Sequence, residues 1–250
     1  MRESTTDWFR LEEENVIDTP ALLIYSERVR QNVDHLVGMI DDKLRLRPHM
    51  KTNKSEEAAR LLIDAGVEKF KCATIAEAET LAMAHAKDIL LAYQPTRPKQ
   101  KRFVELMKAY PNIKFSCLID NLETARQIAQ LGTKSGIVLD TYIDVNLGMD
   151  RTGIEPGTPT INLIREANNL DGLTVQGLHV YDGHLRDANI QTRTEKCNND
   201  FQRITQTLKI LQQEGYQMKI VAGGSPTFPI HAKRPNVECS PGTFIYWDWG

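Results

Sequence analysis

The sequence predicts a closed (β/α)8 barrel of the TIM type. Short apolar runs alternate along the chain with capped, amphipathic stretches. Their spacing is that of βαβ units, which require a parallel sheet. About eight such runs fit within 250 residues, which suits a closed barrel better than an open sheet. The alternative, a doubly wound sheet, is disfavoured because no G-x-G-x-x-G follows the first apolar run.

Residues 21–25 (Ala-Leu-Leu-Ile-Tyr) form the first predicted strand, after which Ser26 caps a helix. Val29, Val33, Leu36, Val37 and Ile40 recur in that helix at the spacing that lines one face. A brief strand over 44–46 ends at Arg47-Pro48, and Ser55 caps a helix that stops at Gly66. A strand near 68–72 leads into Thr74-Ile75-Ala76-Glu77, a capping box. The next strand covers 88–92, and Pro98 opens a helix at a position where its missing N–H costs nothing. A strand at 113–119, a helix from Asp120-Asn121 to about Gly132 and a long strand over 137–146 continue the pattern. Then follow a helix at 158–170, a strand at 174–181, a helix at 190–214, a strand at 219–222 and a weak one from Val237. Residues 243–248 alternate like a further strand, an abrupt ending that suggests the start of another unit. The domain division is therefore an N-terminal segment over 1–25, the barrel over 26–238, and the start of a C-terminal β domain over 239–250.

Composition narrows the function. With 31 basic against 33 acidic residues and no basic block, nucleic acid is an unsuitable partner. No apolar run approaches the ~18 residues of a membrane span, and residues 1–8 have no apolar signal core. Cys72, Cys117, Cys197 and Cys239 lack C-x-x-C spacing and read as free thiols of a cytoplasmic protein. These features describe a soluble enzyme acting on a small molecule.

In a parallel barrel, functional groups collect where strands end. Four such ends carry Arg47-Pro48-His49-Met50-Lys51-Thr52-Asn53-Lys54, Gly148-Met149-Asp150-Arg151-Thr152-Gly153, Tyr181-Asp182-Gly183-His184 and Gly223-Gly224-Ser225-Pro226-Thr227. In the last, two glycines allow close backbone approach to an anion, and the Ser225 and Thr227 hydroxyls add donors for a phosphate. Lys51 stands beside Arg47 and His49, and a partly desolvated lysine near other cations becomes a neutral nucleophile. Lys54 is expected to face outward. A phosphate cradle opposite such a lysine suggests pyridoxal 5'-phosphate.

Asp18-Thr19-Pro20 and Arg47-Pro48-His49-Met50-Lys51-Thr52 resemble the pyridoxal-phosphate enzymes of the alanine racemase-like (fold type III) barrel. The similarity is greatest to the D-threonine aldolase and D-serine dehydratase branch, whose R-P-H-x-K-T-H-K is matched except at Asn53. Cys72-Ala73-Thr74, Glu77-Ala78-Glu79, Asp144-Val145, Arg151-Thr152-Gly153, Tyr181-Asp182-Gly183-His184 and Gly223-Gly224-Ser225 follow in order. The resemblance implies Lys51 as the Schiff-base lysine, with Gly223, Gly224, Ser225 and Thr227 holding the phosphate. Arg151 and Tyr181 would border the cofactor ring and its substrate, and His49 would contact substrate or orient the strand end. His179 depends on which way its strand faces, and His184 would support Tyr181, bind substrate or bond the loop.

Asn53 cannot titrate as the family's second histidine does. Ser240 stands where racemases of the fold have an arginine, which favours the lyase branch over racemisation. The implied activity is D-threonine aldolase-like cleavage of β-hydroxy-D-amino acids to glycine and an aldehyde through a Lys51 aldimine. D-serine dehydratase-like elimination, racemisation and a non-catalytic cofactor-binding protein are the alternatives. A sugar-phosphate barrel using Asp144 and Asp150 as acids is a weaker one. The resemblance further implies a homodimer, and a divalent metal bound in a C-terminal β domain. No metal ligands are assigned within this sequence, and His231 with Cys239 is rejected as a pair by its spacing.

Overall fold

The computed structural model describes residues 9–246. Seven parallel strands lie in chain order across one curled sheet: β1 (Lys69–Cys72), β2 (Asp88–Leu91), β3 (Lys114–Ile119), β4 (Leu139–Asn146), β5 (Leu173–Tyr181), β6 (Lys219–Ala222) and β7 (Val237–Cys239). The segment 46–49 bridges the two edges. Leu46 pairs with Cys239 and His49 with Lys71. Arg47 and His49 donate their N–H groups to the carbonyls of Cys239 and Pro241, and Lys71 donates to Pro48. Pro48 has no N–H to return toward β1, so this stave pairs as separate bridges rather than as a continuous strand. The barrel is closed by that segment.

Helices cover the outside: α1 (Ser26–Gly38), α2 (Glu56–Asp64), α3 (Ile75–Met83), α4 (Arg97–Ala109), α5 (Leu122–Ser135), α6 (Thr158–Ala167), α7 (Ile190–Gln213) and the short α8 (Phe228–His231). The expected caps form where the side chains can accept. Ser55 Oγ takes the Ala58 N–H, Thr74 Oγ1 takes that of Glu77, and Asn121 Oδ1 takes that of Thr124. Glu77 turns back to the Ala73 N–H. The α5 helix runs past Gly132 and ends at Gly136, which takes a left-handed φ of 68°. Gly132 lies inside it because a Cβ there would stand 2.3 Å from the Gly172 carbonyl oxygen.

Three sequence expectations fail at the edges. Residues 21–25 form no strand; Leu22, Leu23 and Ile24 are exposed and unpaired in the sheet. Ser26 is the first helical residue of α1 rather than its cap. The segment beginning at Thr243 forms a 3-10 turn over Thr243–Ile245 instead of a strand. Alternating apolar residues need a partner edge to become a strand, and neither segment pairs with this sheet. Residues 247–250, the expected start of a second domain, lie outside the described residues.

Strand alternation sends one set of side chains outward to the helices and the other into the barrel. Phe70, Ile89, Ile119 and Ile143 join the large core against the helices. Inside, Leu90, Leu118, Tyr142 and Val221 make a separate apolar layer. On one side of it Arg47, Asp88, Glu238 and Lys69 form an ionic floor. On the other, at the C-terminal mouth, sit the candidate functional groups.

Candidate active site

The residues after β5 and β6 converge on the Tyr181 ring. A Cβ on Gly224 would lie 3.1 Å from Tyr181 Cε2, and one on Gly183 would strike the phenol oxygen at 2.2 Å. Both glycines are thus needed for the ring to lie flat against the two turns. Gly223 takes φ +78°, and a Cβ there would meet the His231 ring at 2.7 Å. On the open side, the Arg151 guanidinium carbon sits 5.2 Å from the Tyr181 centroid, a cation–π distance.

Arg151 reaches this position on a loop held from beneath. Asn146 Oδ1 accepts the N–H groups of Gly148 and Asp150, while Asn146 Nδ2 donates to Asp150. Gly153 donates to Asp120 Oδ2 at 3.1 Å, and Thr152 Oγ1 donates to Asp144 Oδ2 at 2.8 Å. A Cβ on Gly153 would press to 2.7 Å on the Asn146 backbone nitrogen, so the loop closes only with glycine there. Asp144 and Asp150 are accordingly structural in this loop. Among the described residues no carboxylate pairs with Arg151.

Lys51 lies in a 3-10 turn, Met50–Thr52, directly after the short stave. His49 Nδ1 accepts the Lys51 N–H at 3.2 Å, which fixes the turn and leaves the imidazole proton on Nε2. Burial, then Lys71 and Lys51, hold His49 well below the usual histidine range, so it is neutral. Burial first, then Arg151, lowers the Lys51 amine below the ordinary lysine value. Asn53 caps locally, its Oδ1 accepting the Ser55 N–H.

Arg47, only four residues before Lys51, does not reach the mouth as expected. Its side chain is fully buried and points the other way, with Nε on Glu238 at 2.7 Å and the guanidinium on Asp88 at 2.8 and 3.1 Å. Ser240 is buried and donates to the Arg47 carbonyl at 3.0 Å.

The glycine turn is built differently from expectation in one respect. Thr227 is buried, and its hydroxyl donates to Asp182 Oδ1 at 2.7 Å while accepting the Gly224 N–H. It supports the turn instead of offering a donor outward. Ser225 Oγ accepts the N–H groups of Gly242 and Thr243, leaving its own proton to donate. Beneath, Asp182 Oδ2 accepts from His231 Nε2 at 2.8 Å, and the Cys197 thiol lies 3.6 Å away. His231, Thr227 and Cys197 together hold the Asp182 carboxyl below its usual range despite burial.

That buried Asp182–Cys197–His231 group was not predicted. Its donor atoms lie within 4.8 Å of one another, as metal ligands would. Here they satisfy each other, and burial pushes the Cys197 thiol up to about 12, so the thiolate a metal needs is disfavoured. Cys239 stands apart on β7 and joins no such cluster. His184 neither supports Tyr181 nor points at the ring; it faces Asp200 of α7 at 3.4 Å. His179 points into the barrel, with Nδ1 on Asp144 at 2.7 Å and Nε2 on Lys71 at 3.3 Å.

The residues present fit a phosphorylated aldehyde. Gly223 and Gly224 form a cradle that a Cβ would fill, Tyr181 offers a ring face, and Lys51 offers an amine shifted toward its neutral form. The sequence profile described as alanine racemase, N-terminal domain, matches residues 24–248. The chain belongs to that family. It is 23% identical over 237 residues to a D-threonine aldolase of Arthrobacter sp, covering 93% of this chain and 62% of the aldolase. A D-threo-3-hydroxyaspartate dehydratase of Delftia sp. (strain HT23) is 24% identical, with the same coverages. An alanine racemase of Helicobacter acinonychis is 28% identical over 144 residues, 57% of this chain. The crystal structure of D-threonine aldolase from Filomicrobium marinum superposes with a TM-score of 0.84 at 24% identity, over 93% of this chain and 63% of that one. The chain thus spans less than two thirds of the length of these aldolases. Among the described residues no helix is long and apolar enough to cross a membrane.

Proposed function

We infer that this chain is the cofactor-binding barrel of a pyridoxal-phosphate lyase that acts on β-hydroxy-D-amino acids, in the manner of a D-threonine aldolase. The observation that carries the reading is the Tyr181 ring held between the Gly224 turn and the Arg151 guanidinium, with the Lys51 amine electrostatically coupled to that arginine.

When bound, the cofactor supplies an electron-poor ring that weakens a chosen bond at the amino acid's Cα. Lys51 provides the amine that anchors its aldehyde. The Gly223–Ser225 turn places backbone and the Ser225 hydroxyl against the phosphate, and the buried Thr227–Asp182–His231 set keeps that turn rigid. Tyr181 supports one ring face. Arg151, without a protein carboxylate, is positioned to take the substrate's carboxylate or a polar ring substituent. His49 orients the Lys51 turn and, being neutral, adds no third charge beside the two lysines. Cleavage requires the Cα–Cβ bond, and elimination the Cα–H bond, to stand perpendicular to the ring. Misplacement by about 1 Å decides between them.

The similarity to the dehydratase, equal in extent to that with the aldolase, favours elimination as the second reading. Products separate the readings when the full chain with added pyridoxal phosphate is given D-threonine and D-threo-3-hydroxyaspartate. Glycine plus an aldehyde is the expected outcome. Ketoacid plus ammonia establishes the dehydratase reading, and the L-enantiomer alone contradicts both. Localisation in the cytoplasm and pairing into homodimers belong to the same proposal; gel filtration against light scattering tests the latter.

A further inference from the structure

One lysine deep in the barrel has no part in the chemistry above. Lys71, on β1, is 3% exposed, a rare place for an amine unless it is paired with a carboxylate. No carboxylate touches it among the described residues. Its hydrogen-bond partner is His179 Nε2 at 3.3 Å, and His179 is held in turn by Asp144 at 2.7 Å. Tyr181 lies over the amine, its centroid 5.5 Å from Nζ. The backbone of Lys71 pairs with His49, two residues before Lys51, so the two lysines belong to adjacent staves of the same mouth.

Charged groups face Lys71 from three sides. Arg47, His49 and Lys51 come from the stave beside it, Asp144 from β4, and His179, Tyr181 and Asp182 from β5. Burial has the largest effect on its amine, followed by Lys51; Asp144 and Asp182 oppose them, and the balance lies at about 7. Lys71 is therefore an uncharged proton acceptor while Lys51 carries its charge. Loss of that charge makes Lys71 the better base of the two.

We propose that Lys71 is the accessory proton acceptor of this site, taking up the proton that the Lys51 ammonium sheds before its amine bonds an aldehyde. The bookkeeping is closed: one N–H bond breaks at Lys51, one forms at Lys71, and the net charge of the pocket is unchanged. No covalent bond is made to Lys71, which acts through Lys51. The transfer keeps a fixed fraction of Lys51 neutral at pH values where an isolated lysine would be almost wholly charged. This inference rests on Lys51 as the cofactor lysine, but it is read by titration and by cofactor capture, not by turnover.

The experiment measures the rate at which the full chain captures added pyridoxal phosphate between pH 7 and 9, for the natural sequence and for Lys71→Met. The natural chain is expected to give a nearly flat profile, and Lys71→Met one rising about tenfold per pH unit, as for a lone amine far below its pKa. Identical profiles overturn the proposal. A second measurement stands even where Lys71→Met fails to fold: NMR titration of 13C-labelled lysines in the natural chain and in Lys51→Met. The buried lysine's midpoint should rise by about one unit when the Lys51 charge is removed. A midpoint that ignores Lys51 overturns the proposal. Failure of the aldolase reading would leave both titrations unaffected, so the two ideas fail separately.

Discussion

The two ends of the barrel interior use the same kinds of side chain to opposite ends. At the floor, Arg47 meets Asp88 and Glu238, and Glu238 also takes Lys69, so that positive and negative groups close on one another. At the mouth, Lys51, Lys71 and Arg151 converge with Asp144 already committed to His179 and Thr152. Both regions draw on one short motif, since Arg47 and Lys51 are only a stave's turn apart. A charge whose partners are supplied by the protein is structural. A charge left without one is held ready for a ligand, and the mouth is where this chain leaves them.

Breaking the floor should therefore cost stability and breaking the mouth should cost binding. The largest effect is expected from Arg47→Met, which leaves two buried carboxylates unpaired; urea unfolding should show a loss of about 3–5 kcal/mol. Arg151→Ala should change stability by less than about 0.5 kcal/mol in the same assay, because the side chain is exposed and has no ion pair. If the two variants are equally destabilised, the distinction between the ends is wrong.

Gly224→Ala tests the cradle. Its Cβ must displace Tyr181 by a few tenths of an ångström, and pyridoxal-phosphate affinity should fall about tenfold, or ~1.4 kcal/mol, by equilibrium titration. Unchanged affinity would take the phosphate elsewhere.

The two regions also differ in their response to pH. Asp88 at the floor and Asp144 and Asp182 at the mouth are all lowered in the fold against burial, Asp88 chiefly by Arg47 and the others by their histidine partners. Their contribution is present above the ordinary carboxylate pKa and is lost as pH falls through the lowered folded values. Lys71 behaves in the opposite sense. Its folded value of about 7 lies below the unfolded 10.5, so the unfolded chain binds more protons between those values and stability from this group rises with pH across that window. Lys71→Met should accordingly be more stable than the natural chain at pH 7, with the gain shrinking toward pH 10. A gain that is constant with pH would mean that the lysine is not titrating there. This is the smallest of the expected differences.

Much of this arrangement was legible in the sequence because local rules act on few residues. Ser55, Thr74 and Asn121 cap helices where their spacing says they should, and the glycine turn, Lys51 and Arg151 all follow strand ends. What was not legible depended on direction and on partners. Lys71 alternates with Phe70 and Cys72 and resembles a solvated residue of an edge strand; only closure of the barrel makes that face the interior. With Phe70 and Cys72 assigned to the helix side, period two alone would have placed Lys71 inside. Arg47 reads as a mouth residue until its partners Asp88 and Glu238, distant in sequence, draw it down. Thr227 looks like a phosphate donor until Asp182 claims its hydroxyl. Residues 21–25 have strand composition but no edge to join.

The central claim, that the unpaired charges of the mouth hold a phosphorylated aldehyde on Lys51, is tested most directly by fixing the adduct in place. The full chain is loaded with pyridoxal phosphate, reduced with borohydride and mapped by peptide mass. A pyridoxyl group on Lys51, absent after Lys51→Ala with folding unchanged, is the result predicted. A pyridoxyl group on Lys71, or none on any lysine of the mouth, would contradict it.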